Sequence, residues 1–126
     1  MFWRKGAIYF AHSLRDYHQT KECSDMETIK AQFPLYQIVN PNGLLPNGNG
    51  WLAEAQRLIK KCELLVFTEW SNHIGRGVSN EIDFALAQGL SVYLLREGQF
   101  YPITQVNIQP SGRDNWVLYR KVVLCS

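Results

Sequence analysis

The sequence predicts a three-layer α/β domain, a central and mainly parallel sheet of about five strands with helices on both faces. Three observations carry this. Short apolar runs at 7–11, 35–39, 63–68 and 91–95 alternate with segments whose apolar residues recur at helical spacing. The connections at one end of these runs are short, and those at the other end are long and polar. At 126 residues the chain is the size of one domain, 1–126, and such a domain buries about two-thirds of the surface its unfolded form exposes, enough for a core without metal or disulfide staples.

Ala7 to Ala11, entered through Gly6, reads as a buried first strand. From about Ser24, Met26, Ile29 and Phe33 fall at helical spacing, with Ser24 as N-cap and Glu27 at the capping-box position. Pro34 ends that helix, because a residue before proline is pushed out of the α region. Leu35 to Val39 is a second strand. Asn40 to Gly50 is almost all turn formers and long for a connection, which marks a binding loop or lid. Leu52, Ala55, Leu58, Ile59 and Cys62 form one helical stripe, so Trp51 to Lys61 is a second helix leading into a third strand, Glu63 to Thr68. After a loop carrying two glycines, Ser79 is the expected N-cap of a third helix, with Ile82, Ala85 and Leu86 as its core stripe and Gly89 as its stop. Ser91 to Leu95 is the fourth strand. Right-handed crossovers restrict this succession to a Rossmann-like or flavodoxin-like strand order. Phe100 to Ile108 and Trp116 to Leu124 are strand-like around a turn at Pro110-Ser111-Gly112, an antiparallel edge hairpin or a fifth strand.

A net charge of +2 with both signs interspersed argues against polymeric nucleic acid or a membrane as partner. Cys23, Cys62 and Cys125 make no C-x-x-C pair, and no histidine stands at ligand spacing to complete a zinc site, so neither a disulfide framework nor a metal is expected. With no apolar run long enough to span a bilayer and no signal segment, the expected compartment is the cytoplasm.

In open α/β sheets ligands bind at the carboxyl ends of the strands, where strand order reverses. Three loops should meet there: His12 to His18, Asn40 to Gly50, and Glu69 to Asn80. In the third, Gly75-Arg76-Gly77-Val78-Ser79-Asn80-Glu81 joins a glycine-rich approach to a helix start whose free N–H groups suit a phosphate or sugar oxygen. Glu81 is expected in the helix's first turn at the rim, where a carboxylate also complements the helix dipole. Ser13 and Arg15 are a pair suited to holding phosphate, with His12 beside them. The rings of Tyr9, Trp51 and Trp70 are candidates to flank a nucleobase.

The opening A-I-Y-F-A-H-S-L-R resembles the first strand and loop of the nucleoside 2-deoxyribosyltransferases and the related 2'-deoxynucleoside 5'-phosphate N-hydrolases. The segment from Cys62 to Leu95 resembles that family's second block, an apolar strand, a glycine loop and a helix with E-x-x-x-A. The resemblance covers about residues 6 to 96. It implies an enzyme that cleaves an N-glycosidic bond or transfers a deoxyribosyl group on a nucleoside or nucleoside 5'-monophosphate, with no cofactor. It places on Glu81 the role of nucleophile or stabiliser at the anomeric carbon, and on Ser13 and Arg15 the binding of a 5'-phosphate. It also implies a homodimer, with Trp116 to Leu124 as a possible pairing edge. Two departures stand out. His12 replaces a glycine of the family's loop, and the family's second acid, an aspartate on the second helix, falls on Ala55. Glu54 and Asp16 are the candidate substitutes. Without an acid, the same fold would serve as an inactive nucleotide-binding or sensing module.

Overall fold

Gly6 opens the first strand, and a side chain there would run into the Glu63 carboxylate. That carboxylate accepts the Ala7 N–H at 2.6 Å, and the Glu63 N–H in turn reaches the Ala7 carbonyl at 2.9 Å. The start of β1 (Gly6–Ala11) is thereby clipped to the start of β3 (Leu64–Phe67). The protein is seen as a computed structural model in which residues 6–43, 50–114 and 117–124 are described.

The remaining elements are α1 (Thr20–Gln32), β2 (Tyr36–Val39), α2 (Trp51–Ile59), α3 (Arg76–Ala87), β4 (Ser91–Arg96), β5 (Gln99–Pro102), β6 (Ile108–Asp114) and β7 (Val117–Val122), with 3₁₀ turns at Leu14–Asp16 and Gln105–Asn107. The main sheet runs β2-β1-β3-β4-β5. Its first four strands are parallel and β5 is antiparallel to β4. This is the flavodoxin-like order, and its switch point lies between β1 and β3.

Alternation along the strands builds two cores. Tyr9, Ala11, Leu65, Phe67 and Leu94 face α2 and α3 (Ala55, Ile59, Ile82, Ala85). Ile8, Phe10, Val66 and Leu95 face α1 through Ile29, Met26 and Phe33. The three layers are therefore α1, sheet, and α2 with α3. Cys62 is buried in the first core, and burial pushes its thiol up to about 11. Cys23 is exposed, and Cys125 lies outside the described residues. No helix among the described residues is long and apolar enough to cross a membrane.

Two helix starts differ from expectation. Helix α1 begins at Thr20 rather than near Ser24, with Gln19 as a cap that makes no side-chain bond. The reason is Glu22, whose carboxylate accepts the His18 N–H and pulls the chain into helical form before Ser24 is reached. Helix α3 begins at Arg76, with Gly75 as its cap, so Ser79 lies inside the helix and Glu81 falls in the second turn. The Ser79 hydroxyl caps nothing and instead accepts from Arg120 at 2.9 Å.

The C-terminal region also differs. Beyond β5, Thr104 and Asn107 cap each other's segment and stop the strand before Ile108. Pro110-Ser111-Gly112 is a bulge inside β6 and not the turn. The bulge aims the Ser111 hydroxyl at His73 Nε2, 2.9 Å away. Residues 115–116, Trp116 included, lie outside the described residues. The β6–β7 hairpin is a separate sheet. It docks through paired backbone bonds between Ile74 and Arg120 (2.9 and 3.0 Å) and through the Arg120 guanidinium to Ser79 and Asp83. Part of the β7 edge expected to pair with a second chain is thus engaged within this one.

Candidate functional site

The carboxyl ends of β1, β2 and β3 open onto a cleft of about 750 Å³, a size that takes a small organic ligand. One wall is the stretch after β1, with His12, Ser13, Arg15, Tyr17 and His18. A second is Pro41, Asn42 and Gly43 after β2. The third is the start of α3 with Gly75, Gly77, Val78 and Glu81, and Trp51 at the head of α2 leans against it. A Cβ on Gly77 would stand 3.4 Å from the Trp51 ring, an ordinary contact, so the indole packs directly against this turn of α3. The predicted lid falls partly on residues 44–49, outside the described residues.

Glu81 is the only carboxylate lining this cleft among the described residues. It is 5% exposed, and its Oε2 accepts a short hydrogen bond from the Tyr9 hydroxyl. Tyr9 is fully buried in β1 and lies beneath the cleft, not along it. Burial raises the Glu81 carboxyl to about 7, while the Tyr9 bond pulls the other way. In the second turn the helix dipole helps little, since that effect fades within the first turn. Burial pushes the Tyr9 phenol far up, with the neighbouring Glu81 charge adding to it, and acts on Tyr17 in the same direction. Both phenols keep their protons, and the Tyr9 hydroxyl donates its own to Glu81.

His12 is buried and turned from the cleft centre toward α1. Its ring stacks on Phe10 at 4.0 Å, Nδ1 faces the Phe10 carbonyl at 3.0 Å, and Nε2 faces Glu22 Oε2 at 2.7 Å. Both ring nitrogens thus face oxygen atoms, which fixes the orientation of the imidazole. No pattern in the sequence singles out Glu22. Its carboxylate also accepts from the His18 N–H (3.2 Å) and from Asn42 Nδ2 (3.1 Å). Burial opposes its ionisation, yet the bonds from His12, His18 and Asn42 hold it below the usual carboxylate range. One carboxylate thus fixes three residues of the cleft wall.

The other expected site residues divide. Ser13 Oγ accepts the Arg15 N–H at 3.2 Å, which starts the 3₁₀ turn, and the Arg15 guanidinium lies 4.1 Å over the Trp70 ring. Both line the cleft. Arg76 is exposed, Asn80 half-buried, and Ser79 is committed to Arg120; none of the three lines it. Neither substitute acid reaches the cleft. Glu54 pairs with Arg57 at 2.9 Å on the outer side of α2, because the helical stripe that buries Ala55 turns its neighbour outward. Asp16 is buried in the 3₁₀ turn, 3.7 Å from Lys21 Nζ. No group of three metal-binding side chains occurs among the described residues. No protein-family model matches the chain, and no curated protein matches it significantly.

Proposed function

We propose that the cleft binds a nucleoside or nucleoside 5'-monophosphate and that Glu81 acts at its anomeric carbon, in N-glycosidic hydrolysis or deoxyribosyl transfer. One observation carries this reading: a buried carboxyl, held by Tyr9 and close to half ionised at neutral pH, opens into a ligand-sized cleft at the switch point of the sheet. Breaking the C1'–N bond leaves the electron pair on the base and positive charge on the sugar. The Glu81 carboxylate stabilises that charge or forms a bond to C1', which water or a second base then displaces. The departing base nitrogen must gain a proton. His18 lines the cleft as the candidate donor in place of Glu54 and Asp16, whereas burial holds the Tyr17 proton too tightly for that role. Ser13 and Arg15 supply the anchor for a 5'-phosphate.

The absence of a second carboxylate from the described cleft wall favours a second reading, a binding module that holds the nucleotide without cleaving it. Incubation with the deoxynucleosides and their 5'-monophosphates separates the two. Free base released by the parent chain and abolished in Glu81→Gln supports the enzyme. A thermal shift without turnover selects the binding module. Turnover by Glu81→Gln at the parent's rate would sink the assignment of Glu81.

A further inference from the structure

Ser13, Arg15 and Gly75 line a second cavity as well as the cleft. This cavity, about 160 Å³, is closed on its far side by Trp70, His73 and Tyr119. We infer that it is a subsite for a flat, ring-sized group carried on the far side of the ligand's 5'-phosphate, so that the preferred ligand is a 5'-phosphate ester rather than a free monophosphate. The inference rests on the nucleotide reading above and adds to it.

The argument is one of continuity, size and wall chemistry. The two cavities meet at the residues suited to hold phosphate, so a phosphate at Ser13 and Arg15 faces the sugar's side of the site in one direction and the small cavity in the other. A cavity of about 150 Å³ is enough for a benzene-sized ring. The walls carry three ring side chains, whose faces and edges favour a flat aromatic guest. Their positions are fixed independently of any ligand. His73 is held between the Ser71 carbonyl (2.7 Å) and Ser111 Oγ (2.9 Å). It meets Tyr119 edge-on with centroids 6.1 Å apart. Trp70 is pinned under Arg15 and by its backbone pairing with His73. Tyr119 and Ser111 belong to the docked hairpin, which joins the main core through Ile108 and Val122 and turns these two side chains to the cavity side. Its placement here gives the hairpin a recognition role.

The test compares dissociation constants for the four deoxynucleoside 5'-monophosphates with those of their phenyl 5'-phosphate esters, using the whole chain and calorimetry. Expected is that the best ester binds about tenfold tighter than its monophosphate, as filling an aromatic pocket with a ring provides. That ratio should collapse toward one in Tyr119→Ala and largely survive in Trp70→Phe. Melting curves identify any variant that fails to fold, and the parent comparison stands without them. If the monophosphate binds and the ester binds equally or more weakly, the subsite is refuted and the nucleotide reading survives. If neither binds, both fall together.

Discussion

Replacing Tyr9 by Phe removes one hydroxyl from the interior while keeping the ring that fills the core at 0% exposure. The hydroxyl's partner is Glu81, and the bond is the one influence that favours its ionised form against burial. A hydrogen bond to a charged group contributes about 1.5–3 kcal/mol, and each 1.36 kcal/mol moves a titration by about one pH unit. The Glu81 midpoint, about 7 in the parent, should therefore move alkaline by about one to two pH units. At pH 7 the ionised fraction drops from about one half to about one-tenth or less. The direct assay is a ¹³C NMR titration of the Glu81 side-chain carboxyl in parent and variant. Where base release is observed, the acid limb of kcat/KM should move with it, because only the carboxylate can serve the sugar cation. If Glu81 titrates in Tyr9→Phe at or below the parent midpoint, the hydroxyl does not hold the carboxylate and the electrostatic argument for the site fails.

Three further outcomes follow from the same contacts. Because the folded-state value of Glu81 is raised from 4.5 to about 7, its stabilising contribution is present below pH 4.5 and lost as pH rises to about 7, a loss of about 3 kcal/mol; denaturant titrations of Glu81→Gln and parent should diverge across that window, with the variant the more stable at pH 8. Glu22 has the opposite sign, so its contribution is present above the unfolded carboxylate value and disappears as pH falls through its lower folded one; Glu22→Gln should cost about 1.5–3 kcal/mol at pH 7, a difference that shrinks on acidification, and, where calorimetry detects a bound nucleotide in the parent, should weaken its binding by loosening His12, His18 and Asn42. Arg120→Ala removes the bonds to Ser79 and Asp83; a cost of about 1–2 kcal/mol with selective loss of amide-exchange protection at Ile74 and in β6–β7 is expected, while the protection of β1 and β3 stays as it was.

The layers were legible because burial on both sheet faces writes continuous apolar runs, whereas the crossover rule leaves both a Rossmann-like and a flavodoxin-like order open for four parallel strands. The three loops that form the cleft were legible for the same reason, since they must follow those strands. Helix starts were less so. Capping is read from side chains, and both Gln19 and Gly75 cap without one, whereas Ser24 and Ser79 carry the signal but sit inside helices. That error placed Glu81 one turn too early and suggested a dipole where burial dominates. Glu22 was invisible because its partners lie 4, 10 and 20 residues away on the loops after β1 and β2, and no local pattern joins them. The bulge at Pro110 to Gly112 looked like a turn because the same residue types favour both, and only the docking of the hairpin decides between them.

The Tyr9–Glu81 pair joins a central strand to a helix 72 residues further along, and its oxygens belong at once to the packed interior and to the solvent-facing hollow. Whatever enters the hollow therefore shifts the proton inventory of the interior: a cationic guest favours the carboxylate and releases a proton, and a neutral guest that excludes water favours the protonated acid. Recognition and folding in this molecule share one ionisable oxygen, so neither can be altered at that point without altering the other.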